Sequence, residues 1–145
     1  MTADTTSDRL PVLLLRVEGL ALLAVAATAY DWHHGAVAGA PGWGLFFAAF
    51  LLPDVAMLGY VRSTRVGAWC YNLAHTESLP ALALGAGIVM RTPMMTAAAL
   101  IWLAHIGFDR LAGYGLKFAE GFGRTHLGDL PSRASRRTTA PAASR

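Results

Sequence analysis

The chain has 145 residues, of which 54% are hydrophobic and 14% charged, with a formal net charge of +3. That composition excludes an ordinary water-soluble domain and a disordered polar chain, and the length leaves room for one helical membrane domain. The basic residues lie mostly in connections and a tail, where anionic lipid headgroups account for them, so nucleic acid is not an expected partner.

Residues 1–8 are polar and are expected to be disordered. The first apolar stretch runs from Leu10 to Tyr30, and because Arg16 and Glu18 interrupt it, it reads as a retained helix and not as a signal peptide. Three more stretches follow, Pro41 to Val61, Val66 to about Met90, and Thr92 to Gly113, each near the roughly 20 residues that a spanning helix needs. The expected fold is therefore all-α, a four-helix transmembrane bundle over residues 9–128.

Lysine and arginine set the orientation. The connection from Asp31 to Gly42 has none, and the one before the fourth stretch has only Arg91, whereas Arg9, Arg62, Arg65, Lys117 and the arginines of the tail fall on the other side. Both termini are accordingly expected in the cytoplasm, with the protein in the cell membrane as a multi-pass span. Asp31-Trp-His-His34 reads as a turn on the far side, a weak metal signal. Cys70, the single cysteine, reads as a small packing residue.

Two prolines interrupt the middle stretches, Pro53 directly before Asp54 and Pro80 after His75. A proline inside a helix frees the carbonyl four residues back, here Ala49 and Thr76, and broken helices beside polar groups are a common way to build intramembrane sites. After the fourth stretch, Tyr114, Phe118 and Phe122 repeat every four residues opposite Lys117, which predicts a cytoplasmic interfacial helix. Residues 129–145 form a Pro/Ala/Ser/Arg tail expected to be disordered.

Each stretch carries one ionisable residue, and Glu18, Asp54, His75 and His105 fall at nearly one depth in the cytoplasmic half when the stretches are laid antiparallel. Asn72 and His75 share a helix face, as do His105 and Asp109, which would bring Asn72 near Asp109 and His75 near His105. Glu77 lies on another face. Three carboxylates in a low-dielectric bundle demand a cation or a retained proton. A divalent metal (Zn, Mn or Fe) on His75, His105, Asp54 and Asp109 answers the first demand, and a general acid answers the second. Haem between the two histidines is the remaining cofactor reading.

Leu52-Pro-Asp54 with Gly59-Tyr60, Tyr71-Asn72 with His75, Ala104-His105 with Asp109-Arg110, Gly113-Tyr-Gly-Leu-Lys117 and Thr125-His126-Leu-Gly128 together resemble domain-of-unknown-function family 4260, a family of small membrane proteins. The resemblance runs from about Phe46 to Gly128 and implies that the polar residues of these motifs, including Arg110, Tyr114, Lys117 and His126, are the family's marked positions. It supplies no reaction. It does imply that the segment after Gly113 belongs to the site.

The function expected from the sequence is an intramembrane enzyme, metal-dependent or general-acid, acting on a lipophilic small molecule from the inner leaflet. His75, His105, Asp109, Asp54 and Glu18 would carry the chemistry and Asn72 would orient a neighbour. Arg110, Tyr114, Lys117 and His126 would hold the substrate. The alternatives are a small proton or ion transporter using the same relay, and a structural or partner-binding protein whose polar layer fixes helix packing.

Overall fold

The computed structural model describes residues 10–118, 124–125 and 128–129. The expectations for residues 1–8, for the tail beyond residue 129 and for Phe122 and His126 lie outside them.

Helix α1 spans Leu10–Ala36, α2 Trp43–Ala49, α3 Thr64–Ala74, α4 Ser78–Val89 and α5 Pro93–Ala112, with a 3₁₀ segment at Leu52–Val61 between α2 and α3. A two-residue antiparallel pair, β1 Arg124–Thr125 and β2 Gly128–Asp129, follows. The described chain is thus almost wholly helical. Two helical runs, Leu10–Ala36 and Trp43–Val61, are long and apolar enough to cross a membrane. The third stretch is divided into α3 and α4, of 11 and 12 residues, each too short to span alone.

Helix α1 extends past Tyr30, so Asp31-Trp-His-His34 is its closing turns and not a loop as the sequence suggested. No glycine or proline lies between Tyr30 and Gly35 to stop it, and its end is tied down on two sides. The Trp43 indole donates to Asp31 Oδ1 at 3.0 Å, and His33 Nε2 donates to the Pro93 carbonyl at 3.0 Å. Asp31 and His33 are therefore occupied in joining elements.

Helix α5 is the centre of the fold. Antiparallel α1 packs on it at backbone distance: a Cβ added at Gly19 would stand 2.8 Å from the Gly107 carbonyl, and one at Gly107 would stand 2.6 Å from the Leu23 nitrogen. Only residues without side chains admit that approach. Farther along, Ala26, Tyr30 and Phe46 join Ala97, Leu100 and Ala104 in the apolar core. The Tyr30 hydroxyl finds the Gly42 carbonyl at 2.9 Å, so the buried ring leaves no polar atom stranded.

The two prolines break the second and third stretches where the sequence places them. Pro53 sits in the first turn of the 3₁₀ segment, and Pro80 in the first turn of α4. A 3₁₀ helix has three residues per turn, so residues three apart eclipse and form three straight ridges. Leu52, Val55, Leu58 and Val61 make the outward ridge, each more than half exposed. Asp54 and Met57 make a second, facing α5, and Pro53, Ala56 and Gly59 the third. The segment seats on α3 through glycines, with the Tyr60 ring lying over Gly67 and Gly59 within 3.2 Å of Cys70, for a Cβ placed there.

After α5 the chain turns at Gly113, whose φ of +91° suits a residue with no Cβ. Residues 114–118 are irregular and not the helix that the aromatic spacing predicted. The cause is a side chain acting as a strand edge: Asn72 accepts from the Lys117 amide at 2.7 Å and donates to its carbonyl at 2.9 Å. Tyr114 and Phe118 are exposed.

Candidate metal centre

His75 is the residue that ends α3. Its backbone amide and its Nδ1 both lie 2.9 Å from the Tyr71 carbonyl. A carbonyl only accepts, so Nδ1 carries the ring proton and Nε2 of the neutral imidazole presents a lone pair toward α5. The carbonyl keeps its helical bond from the His75 amide and takes the ring as a second donor, at the point where α3 ends. The end of α3 is secured from α5, where the Trp102 indole donates to the Ala74 carbonyl at 2.6 Å.

His105 and Asp109 stand one turn apart on α5 and meet His75 across the interface. His75 Nε2 is 3.2 Å from His105 Nε2 and 3.4 Å from Asp109 Oδ2. Asp54 enters from the 3₁₀ ridge, its Oδ1 3.4 Å from His75 Nε2 and 3.6 Å from His105 Nε2. The His105 Nε2 to Asp109 Oδ2 separation is 3.9 Å. All four donor atoms fall within 4.8 Å of one another. For comparison, ligands about 2.05 Å from a tetrahedral Zn²⁺ stand about 3.3 Å apart. Two imidazole nitrogens and two carboxylate oxygens at these spacings have the composition and size of a divalent-metal shell.

Tyr71 surrounds this shell from behind. Its ring stacks on the His75 imidazole at 3.8 Å between centroids, and its hydroxyl donates to Asp109 Oδ2 at 3.1 Å. Fixing both a histidine and a carboxylate is the usual work of residues behind metal ligands. His105 is held differently. Its Nδ1 is buried and has no hydrogen-bond partner among the described residues, and the Phe50 ring meets it edge-on at 5.4 Å.

A cavity of about 410 Å³ opens on the cluster, lined by Asp54, His105 and Asp109 on one side and by Tyr114 and Lys117 on the other. Lys117 is buried, with its Nζ 4.2 Å from the centre of the Tyr71 ring. Burial pulls its ammonium below the usual lysine range, while Asp109 and Asp54 act in the opposite direction. Of the four cluster residues Asp54 is the most exposed, its side chain 38% accessible against 13% for Asp109.

The fold thus gathers Asp54, His75, His105 and Asp109, and places Lys117 and Tyr114 at the cavity that they share. Glu18 is not among them. Gly19 is the residue turned into α5, and Glu18, about 100° around the helix from it, is exposed. Asn72 does not reach Asp109, because Lys117 occupies its amide. Arg110, its side chain mostly buried, is drawn to the half-exposed Glu77, 4.0 Å away and outside the cavity lining. Haem does not fit between the histidines: two carboxylates and the Tyr71 ring fill the space that a macrocycle needs. From the sequence, Tyr71 had no role beyond its place in a family motif. Its signal was present, since Tyr71 and His75 are four residues apart and share a face.

Comparison with known proteins places these residues within one family. The family model described as Domain of unknown function (DUF4260) matches residues 12–130, most of the chain and the whole of the cluster. Searches of the curated proteins and of the solved structures found no match.

Proposed function

The chain belongs to the DUF4260 family, a family defined by a domain of unknown function, and from that premise we propose that it is a bilayer-embedded hydrolase with a single divalent-metal centre. One observation carries the reading: two imidazole nitrogens and two carboxylate oxygens from three separate elements converge within 4.8 Å, with one imidazole locked in the ligating tautomer. Zn²⁺ suits a four-coordinate N₂O₂ set best, with Mn²⁺ and Fe²⁺ the other candidates.

His75, His105 and Asp109 would be the inner protein ligands, with a water completing the N₂O₂ set, the arrangement of two histidines and one carboxylate known from metal hydrolases. A bound divalent ion supplies Lewis acidity and a water that ionises near neutral pH. Asp54, at the mouth of the cavity, would act as the general base and acid, accepting a proton from the attacking water and returning it to the leaving oxygen. The balance is that of hydrolysis: one bond to oxygen forms, one breaks, and the leaving alcohol gains the proton.

The same proposal embeds the four apolar stretches in the cell membrane with both termini cytoplasmic and the centre in the cytoplasmic half. It is supported by the two membrane-length helical runs and by the outward ridge of leucines and valines. The test is cobalt substitution. Addition of Co²⁺ to metal-free protein in detergent should give the intense visible bands of a four-coordinate ion at one equivalent. Asp54→Asn should keep those bands, whereas His75→Ala should lose them. Weak octahedral bands with no saturation would overturn the centre.

A further inference from the structure

Helix α5 presents one continuous face to two cavities. Toward its C-terminal end, His105, Phe108 and Asp109 line the polar cavity, and Met94, Ala98, Ile101 and Trp102 continue the same face into a second, apolar cavity of about 470 Å³. These residues follow one another at intervals of three and four, the spacing of a single helix face. The opposite wall is the 3₁₀ segment, whose ridges divide the labour: Asp54 and Met57 face the polar cavity, and Pro53 and Ala56 face the apolar one. From His105 to Met94 the face runs about 16 Å at the helical rise.

Resting on the metal-centre reading, we propose that the ligand of this site is an amphiphile with one apolar chain and a phosphoester headgroup. The chain lies along α5 in the apolar cavity and the headgroup sits between the His/Asp cluster and Lys117. Charge complementarity fixes the headgroup. A divalent ion balances Asp54 and Asp109, and Lys117 then gives the cavity a net positive charge that matches an anion. A phosphoester is both hydrolysable and anionic, whereas a carboxylic ester is neutral and a fatty acid has nothing to cleave. The aromatic and aliphatic lining from Met94 to Trp102 suits a hydrocarbon chain and offers it no polar partner.

Trp102, in the wall of the apolar cavity, provides the readout. In the full chain with Trp32, Trp43 and Trp69 replaced by Phe, held in an alkyl maltoside detergent, 11-bromoundecyl phosphate is titrated while Trp102 fluorescence is followed. The expected result is saturable quenching, with the phosphate probe at least about tenfold tighter than 11-bromoundecanol. Ala98→Phe, or Ala56→Leu from the opposite wall, should abolish the quenching while bound metal is retained. Lys117→Gln should remove the preference for phosphate over alcohol. Non-saturable quenching equal for both probes, or saturable quenching indifferent to both cavity-filling variants, would overturn the proposal. Metal content measured on the same samples keeps the two readings apart, because a metal-free protein contradicts the centre while the quenching still reports on the chain site.

Discussion

Tyr71 touches two members of the cluster from one position, stacking on His75 and holding Asp109 through its hydroxyl. Tyr71→Phe keeps the stacking and frees one Asp109 oxygen. Metal affinity should fall by roughly 10- to 100-fold, read by competition with a chromophoric chelator, while the variant stays folded. An unchanged affinity would mean that the hydroxyl does not orient the carboxylate. His105 offers a second residue-scale test because its Nδ1 has no partner among the described residues. In the metal-free protein the proton belongs on Nε2, where it faces His75 and two carboxylates; ligation through Nε2 must move it to Nδ1. The ¹⁵N shifts of a histidine-labelled sample should therefore report a tautomer change at His105 and none at His75. Lys117 adds a pH dependence. Its folded-state value is depressed, so its charge costs stability at neutral pH, and that cost fades as pH rises through the depressed folded value and is gone above the unfolded value of 10.5. Lys117→Met should be the more stable protein in thermal unfolding at pH 7, with the gap closing toward pH 10.

Helix breaks set His75 and Asp54 in place, whereas the unbroken α5 carries His105 and Asp109. Pro80 deprives Thr76 of its helical donor and lets His75 end α3 with its ring bonded to Tyr71. Pro80→Ala restores the donor, so His75 should lose its fixed orientation and metal affinity should drop without loss of helix by circular dichroism. The contact between α1 and α5 is the converse case, where a side chain has no room. Gly107→Leu should lower stability by about 2–3 kcal/mol in detergent unfolding, and a neutral outcome would contradict the close approach. The prolines, the helical stretches and the alignment of His105 with Asp109 were all legible in the sequence, because chain breaks and i, i+4 spacing are local facts. The rotation of α1 was not. A helix apolar around its whole circumference carries no amphipathic signal, so nothing in the sequence said that Gly19 and not Glu18 faces inward. The pairing of Asn72 with the Lys117 backbone was equally hidden, since it joins residues 45 apart through a main chain that has no sequence signature.

At the scale of the molecule, the outward face is apolar over most of its length and the polar groups converge on one end of α5. Leu13, Val17, Leu20 and Val25 of α1 are exposed, as is the outer ridge of the 3₁₀ segment, an arrangement that suits lipid and not water. If four segments cross, a cysteine introduced by Ala38→Cys in a Cys70→Ala background should react with an impermeant maleimide from outside intact cells, and Ser132→Cys should not. Labelling of both would contradict the orientation. The central claim is that four side chains from three elements form a metal centre, and the metal content of chelator-free protein tests it most directly. Near one equivalent per chain in the parent, with none in a folded His75→Ala/His105→Ala double variant, is the predicted result. A parent that stays empty after exposure to Zn²⁺, Mn²⁺ and Fe²⁺, or a double variant that keeps its metal, would contradict it.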